Sequence, residues 1–507
     1  MKTIIEKLLK DNLGAKTIAR QLGITEWQVR LVKKELAQPK SEKKPLEAIK
    51  PYSPSKGKKA KTYIFTAWEI RCDPSDEFID ILHQMEKQYN AELLLVPVWP
   101  DDLKYIPPKL KDFKIITSDF KINQNLFFKY VPTHALVMSP LSGWKGAFPD
   151  SSVIIPGLIK EMITEPSNRL AKQLITTGSI GKLNPNISNY AHLENCDERE
   201  QAQFSKRWNS VTNRRLGRSY AIAQEYTMPS ALIVDVLDDK TFLSRYITME
   251  KTGVVYDMNL KFTAGKSKPE KSRPSALYKG DTHVYQMDEV VWNATGDMVD
   301  FFDPDSVVVG DFMDFSSANW HGMDDASVFT KAPTIEEERD ITRKRLVELC
   351  SRARKVFYDQ SNHDNFIIKY LKNEENYKYN YNYAVCLELR AAQLRDSRHP
   401  VVKLLDMDSI KNLEFVPEDA NHSISGVTNI HGHQSVSGRP AGFRALAQIY
   451  NRVMMGHGHS PKVWRNAVMV GTGSKLQMDY NTGLDGWLHC NGLIHPDGST
   501  QLLPIID

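Results

Sequence analysis

Five times between residues 275 and 459, a short apolar run ends in a cluster of aspartate, asparagine or histidine. Ser275–Lys279 leads into Gly280-Asp281-Thr282-His283, and Val307-Val308-Val309 into Gly310-Asp311-Phe312-Met313-Asp314. Lys355–Tyr358 leads into Ser361-Asn362-His363-Asp364. Further on come Ile430-His431-Gly432-His433 and Met454-Met455-Gly456-His457-Gly458-His459. Short runs of this composition read as strands. Strands that end in ligand-type residues collect them at one edge of a sheet, where open α/β folds build their sites. A glycine beside such a residue lets backbone and ligand approach closely.

The residue types suggest a chemistry. A phosphate diester resists attack because it is an anion. Two divalent ions about 3.5–4 Å apart can bind its oxygens, lower the pKa of a water and stabilise the developing charge. Carboxylate, amide oxygen and imidazole together suit manganese, iron or zinc better than calcium or magnesium. One carboxylate must bridge such a pair.

The order DxH, GD, NHD, H, GHxH resembles the calcineurin-like metallophosphoesterase family. The resemblance rests on Asp281-Thr282-His283, Gly310-Asp311, Asn362-His363-Asp364, His431 and Gly456-His457-Gly458-His459. It implies a β-sandwich flanked by helices over residues 271–507. It also implies that Asp281, His283, Asp311 and His459 hold one metal, and that Asp311, Asn362, His431 and His457 hold the other. By the same resemblance, His363 contacts the scissile phosphate as general acid or transition-state stabiliser, with Asp364 orienting it. The family usually places glycine before the asparagine, where this chain has Ser361. His433 competes with His431, and the family's use of the histidine directly after the strand favours His431. More loosely, Thr176-Thr177-Gly178-Ser179, Ala231–Tyr246 and the tail from Gly486-Trp487-Leu488-His489-Cys490 through Pro496-Asp497-Gly498 resemble a group of large phage-encoded metallophosphoesterases. That group includes pre-early DNA-transfer proteins associated with destruction of host DNA.

Residues beyond these motifs are candidates for substrate contact. Arg439 and Arg444 follow His431 and could clamp phosphate bidentately, or sit in a solvated loop. His321 follows the Asp311 motif and either lines the cleft or lies on a surface loop. Gly471-Thr472-Gly473-Ser474-Lys475 lacks the spacing of a P-loop and reads as a turn after the strand Ala467–Val470.

The rest of the chain reads as an α/β protein with an appended head. Its 507 residues suffice for about three domains at roughly 150 residues each. Residues 1–37 pattern as a helix-turn-helix, a DNA-binding unit with Arg30, Lys33 and Lys34 on the last helix; a small packing bundle is the competing reading. Residues 38–61 are a Lys/Pro-rich linker. Residues 1–62 carry 16 Lys/Arg and 6 Asp/Glu, a net +10 against +4 for the whole chain, which leaves −6 for the remainder. A basic head on a mildly acidic body suits a polyanionic partner. Residues 62–270 form an α/β module without an assignable chemistry, opening with a strand at Thr62–Trp68, a helix at Ser75–Tyr89 and a strand at Ala91–Val98. Polar Lys261–Ser275 marks the next boundary, and the short, biased Asn/Tyr/Lys stretch Asn373–Tyr383 reads as a loop or edge strand.

No apolar run approaches the ~18 residues of a membrane span. Five scattered cysteines without a CxxC argue for a reducing cytoplasm, the host's if the chain is phage-encoded. The expected function is a DNase that uses two divalent ions, manganese first, with iron, zinc or magnesium as alternatives. DNA is the expected partner, and a homo-oligomer is compatible with the sequence. The alternatives are a phosphomonoesterase or nucleotide phosphatase with a regulatory head, and a non-catalytic DNA-binding scaffold.

Overall fold

Alternation of apolar side chains along Lys61–Trp68 (β1) is the simplest entry to the architecture. In the computed structural model Tyr63 and Phe65 point into one core and Ile64 into another. The structure describes residues 61–68, 72–97, 106–116, 120–122, 127–128, 177–183, 202, 228–239, 241–319, 332–420, 422–434, 442–464, 466–478 and 487–505. The helix-turn-helix with Arg30, Lys33 and Lys34, nearly all of the linker, and the residues His321 and Arg439 lie outside them.

The described chain is mixed α/β and built on several sheets. β1 pairs in parallel with Ala91–Pro97 (β2) and antiparallel with Ser230–Val236 (β3), which pairs with Phe242–Thr248 (β4). Helix α1, Asp76–Tyr89, joins β1 to β2 as the pattern predicts. Ser75 caps its start by accepting from the Phe78 amide at 3.3 Å, and left-handed Asn90 (φ 49°) ends it. Its buried Phe78, Ile81, Leu82 and Met85 recur at helical spacing and cover one face of this sheet.

A second sheet runs in the order Leu413–Val416 (β8), Val356–Asp359 (β7), Ser306–Val309 (β6), Ala276–Tyr278 (β5), Cys490–Ile494 (β12), Thr500–Pro504 (β13). Its first four strands are parallel, linked by helices α2 (Glu289–Phe302), α3 (Ile335–Arg352), α4 (Asp364–Leu371) and α5 (Tyr383–Asp396). Leu277, Val307 and Val309 face those helices, while Ala276, Tyr278 and Val308 face the other way. There they meet a third sheet, in which Val427–Ile430 (β9), Val453–Met455 (β10) and Ala467–Met469 (β11) are parallel. The Tyr278 hydroxyl donates to the Ile430 carbonyl at 2.8 Å across that interface.

The core between the second and third sheets also takes in Phe65, Leu94, Leu232, Val234 and Tyr246 of the first. A buried polar network reinforces the junction. Arg245 bonds Asp235 and, at 2.7 and 2.9 Å, Asp257; Gln501 of β13 donates to Asp257 at 2.8 Å and to the Tyr246 carbonyl at 3.1 Å. The opposed carboxylates keep Arg245 charged despite burial. Lys261–Ser275, read from its polarity as a boundary, contributes to a small antiparallel sheet, as most of its middle strand Leu260–Thr263 and as its edge strand Glu270–Lys271. Its lysines are half-buried or exposed, which is why the pattern looks like a loop. Asn373–Tyr383 holds a 3-10 turn at Glu374–Asn376 followed by further turns, with Tyr383 opening α5, rather than a strand. The four described cysteines are buried thiols, and no described helix is long and apolar enough to cross a membrane.

Candidate metal centre

Each ligand-type cluster begins where a strand stops. β5 delivers Asp281 and His283, β6 delivers Asp311 and Asp314, and β7 delivers Asn362 and His363. β9 ends before His431 and β10 before His457 and His459. These residues come from two facing sheets and converge on one site. Nitrogen and oxygen atoms of Asp281, His283, Asp311 and His459 lie within 4.8 Å of one another, as do those of Asp311, His431 and His457. Asp311 belongs to both of these groups; a third, of His283, Asp314 and His363, lacks it.

The individual distances describe a tight cluster. His459 Nε2 lies 3.3 Å from Asp281 Oδ2 and 3.1 Å from His283 Nε2, which is 3.8 Å from Asp311 Oδ2. On the other side, His431 Nε2 lies 3.1 Å from Asp311 Oδ2 and 2.7 Å from Asn362 Oδ1. The His457 ring stands 5.0 Å from that of His431 and is exposed at the rim. His433, the alternative to His431, has its ring 5.4 Å from that of His431 and Nε2 3.1 Å from Glu418 Oε1.

Buried polar groups are normally paired, so the exceptions here carry information. Among the described residues, both carboxylate oxygens of Asp281, Oδ1 of Asp311, and Nδ1 of His431 and His459 have no hydrogen-bond partner. Asp281 and Asp311 are almost wholly buried. Unpaired buried carboxylates facing imidazole nitrogens are the donor set a divalent cation takes, and the residues present fit one.

The backbone is arranged for this clustering. His283, Asp311, His457 and His459 all adopt the left-handed region, with φ of 46°, 41°, 66° and 51°. For non-glycine residues this costs about 1–3 kcal/mol each and persists only where neighbours fix it. The neighbours here are specific. The Asp311 carbonyl accepts from the Thr282 and His283 amides at 3.2 and 2.8 Å, and the Asp281 carbonyl from the Gly473 amide at 2.7 Å and Thr472 Oγ1 at 2.9 Å. The Gly471–Ser474 turn therefore clasps the first ligand. Gly456 passes so close that a Cβ there would stand 2.2 Å from Asp281 Oδ1. Gly456→Ala should lower metal content and destabilise the fold by about 1–3 kcal/mol, the usual cost of overpacking. Metal analysis and thermal unfolding check this; wild-type metal content in that variant would contradict the geometry.

Sequence reasoning missed several supporting groups. Asp314 Oδ1 lies 2.5 Å from His283 Nδ1, and its backbone carbonyl 3.0 Å from His363 Nδ1. The group at His363 is thus Asp314, not Asp364. Asp364 instead accepts from Tyr358 Oη at 2.9 Å, and from the Ser361 amide and hydroxyl at 2.9 and 3.0 Å. Ser361 therefore has a use for its hydroxyl that glycine would lack. Buried Glu338 fixes the backbone after Asp314 by accepting from the Phe315 and Ser316 amides at 2.6 and 3.0 Å. Lys279 is buried, donates to Thr282 Oγ1 at 2.8 Å and lies 5.3 Å from the centre of the Trp292 ring. Only Asp314 had a signal in the sequence, its place three residues after Asp311. Arg444 stands in the short helix Phe443–Ile449.

The electrostatics follow from this packing. Burial alone would lower His283 and His431, but Asp314 and Asp311 respectively outweigh it and lift each to about 9. Burial lifts Asp364 to about 7, and burial together with Asp314 lifts Glu338 to about 8. Burial presses Lys279 down to about 7.

Comparison with known proteins gives one informative likeness. The chain is similar to Protein A1 of Escherichia phage T5, 26% identical over 301 residues that cover 54% of this chain and 53% of that protein. The chain therefore matches about half the length of that relative. No family model matches the chain, and no solved structure matches it.

Proposed function

We propose that this chain is a divalent-metal-dependent nuclease that hydrolyses phosphodiester bonds in DNA through a two-metal centre. The observation that carries the reading is the pair of buried Asp/His groups that share Asp311. Two sheets with a common core and helices on the outer face of one are the layering expected of a calcineurin-like metallophosphoesterase. The likeness to a phage protein agrees with a phage-encoded enzyme acting in the host cytoplasm.

Asp281, His283, Asp311 and His459 would hold one ion, and Asp311, Asn362, His431 and His457 the other. When bound, the ions would supply Lewis-acid activation of water and neutralise phosphate charge, with manganese the first candidate. The residues of the chain do the rest. Asp314 turns His283 through its carboxylate, as the outer partner of a ligating imidazole does. Its carbonyl accepts from His363 Nδ1, which leaves His363 Nε2 to give a proton to the departing oxygen. The basic head, residues 1–61, would bring DNA to the site.

The test uses pure protein with manganese, magnesium, zinc or iron, and plasmid, oligonucleotide, bis-p-nitrophenyl phosphate or p-nitrophenyl phosphate as substrate. Metal-dependent cleavage of DNA and the diester is expected. Hydrolysis of the monoester alone would point to a phosphatase, and inertness with every metal to a scaffold. A chain lacking residues 1–61 should cleave the small diester at a similar rate. It should bind long DNA more weakly and with a shallower dependence on salt, because lysine and arginine bind by releasing counterions. Identical salt slopes for the two metal-free forms would remove the head from DNA binding.

A further inference from the structure

The Asn373–Tyr383 turn has no part in the metal centre, yet hydrogen bonds fix it along its length. It follows α4, which starts beside His363 and spans eight residues, so its far end lies about 12 Å along the helix from that histidine. Asparagines pin it. Asn376 and Tyr370 bond each other's carbonyls at 3.0 and 2.9 Å, and Asn380 Nδ2 donates to Tyr370 Oη at 2.8 Å and to the Asn376 carbonyl at 2.9 Å. Asn382 donates to Ser317 Oγ at 3.0 Å and accepts from the Ile335 amide at 2.9 Å. Ser317 lies three residues after Asp314, so the turn is tied to the segment that holds His283 and His363. Beneath it the rings of Tyr370, Tyr377 and Tyr383 follow one another at 5.8 and 6.4 Å.

On this fixed frame Tyr379 is 89% exposed, Tyr381 49% and Tyr383 39%. Lys378 Nζ stands 4.8 Å from the centre of the Tyr379 ring and is itself tied to Glu375. Resting on the nuclease reading above, we propose that this turn is a second binding site, a stacking platform for unpaired nucleobases of the strand whose phosphate occupies the metal centre. An aromatic ring carried on a hydrogen-bonded backbone has fewer degrees of freedom to lose on binding, and every base presents a π-face to it. Lysine beside the ring adds a cation within reach of the backbone. Lys372 and Lys378 are offset by Glu374 and Glu375, so the turn's contribution is stacking rather than counterion release. It should be insensitive to salt, unlike that of the basic head.

The test uses the full chain. Metal-free wild type, a Tyr379→Ala/Tyr381→Ala variant and a Tyr379→Trp variant are titrated with single-stranded oligo(dT) at several salt concentrations. The same proteins, loaded with manganese, are assayed on bis-p-nitrophenyl phosphate. The double variant should bind the oligonucleotide about 10- to 100-fold more weakly, the scale of losing one or two stacked bases, with an unchanged salt slope. Its small-diester hydrolysis should equal wild type. The fluorescence that Tyr379→Trp adds over wild type should be quenched by the oligonucleotide. Wild-type affinity in the double variant, or no quenching of that added signal, overturns the platform even if the chain proves to be a nuclease. Conversely, quenching and weakened binding in a chain inert on every phosphate ester would keep the platform and discard the nuclease reading. A second copy of the chain is the competing occupant, because Leu387 and Leu394 extend the exposed face along α5. A dimer that dissociates in the double variant, with affinity for oligo(dT) unchanged, would assign the face to that contact and overturn the proposal.

Discussion

On the two-metal reading proposed above, Asp311→Asn should lose both ions at once, and activity with them. Asparagine keeps the size and one oxygen of aspartate but removes the charge, and Asp311 is the residue common to both ligand groups. His431 Nε2 lies 3.1 Å and His283 Nε2 3.8 Å from the same carboxylate oxygen, so the loss is felt on both sides. Asp281→Asn should behave differently, because Asp281 belongs to one group only. The measurement is metal per chain after dialysis, with cleavage of an activated diester alongside. Two ions retained in Asp311→Asn would falsify the shared role; equal losses in the two variants would weaken it.

His363→Gln should keep its metals while cleavage of an unactivated diester falls by roughly 10²–10⁴-fold, the usual scale of general acid–base help. His363 is half-buried, takes no part in either group that contains Asp311, and is held at Nδ1 by the Asp314 carbonyl. Glutamine can keep that contact but cannot pass a proton. A diester with a p-nitrophenolate leaving group needs little protonation, so its hydrolysis should suffer much less. Near-wild-type turnover on DNA would remove His363 from the chemistry. His457→Ala gives the contrast, since losing an imidazole from the Asp311–His431–His457 group should weaken metal binding itself.

The candidate site is legible in the sequence because its residue types are conspicuous at the ends of apolar runs. Aspartate, asparagine and histidine seldom follow a strand in such density without a use. The β1–α1–β2 entry is legible for a different reason: its periodicity changes from two to 3.6 within a few residues, and Ser75 and Asn90 mark the helix ends. What escapes is non-local. Nothing near Ala276 announces that β5 pairs with β12, whose residues lie more than 200 positions away. Asp314 reads as one more acidic residue until His283 and His363 are brought against it. Nothing beside Lys279 in the sequence announces that the Trp292 ring and Thr282 accommodate it in the interior. The family resemblance pairs Asp364 with His363, whereas its carboxylate turns toward Tyr358 and Ser361.

The sheet of β1 to β4 gives one face to α1 and lends the other to the interior shared by the second and third sheets. The residue boundary near 270, plausible in sequence, is therefore no seam along which the chain could be cut or recombined. A fragment starting there would leave Tyr278, Met454, Val468 and Leu502 without Phe65, Leu232 and Val234 opposite them, and would strip Gln501 of Asp257. The candidate site residues lie at the ends of strands whose packing depends on that layer. A segment with no recognisable chemistry of its own is thus a condition for the shape of the candidate site, and its sequence is constrained by packing rather than by reactivity.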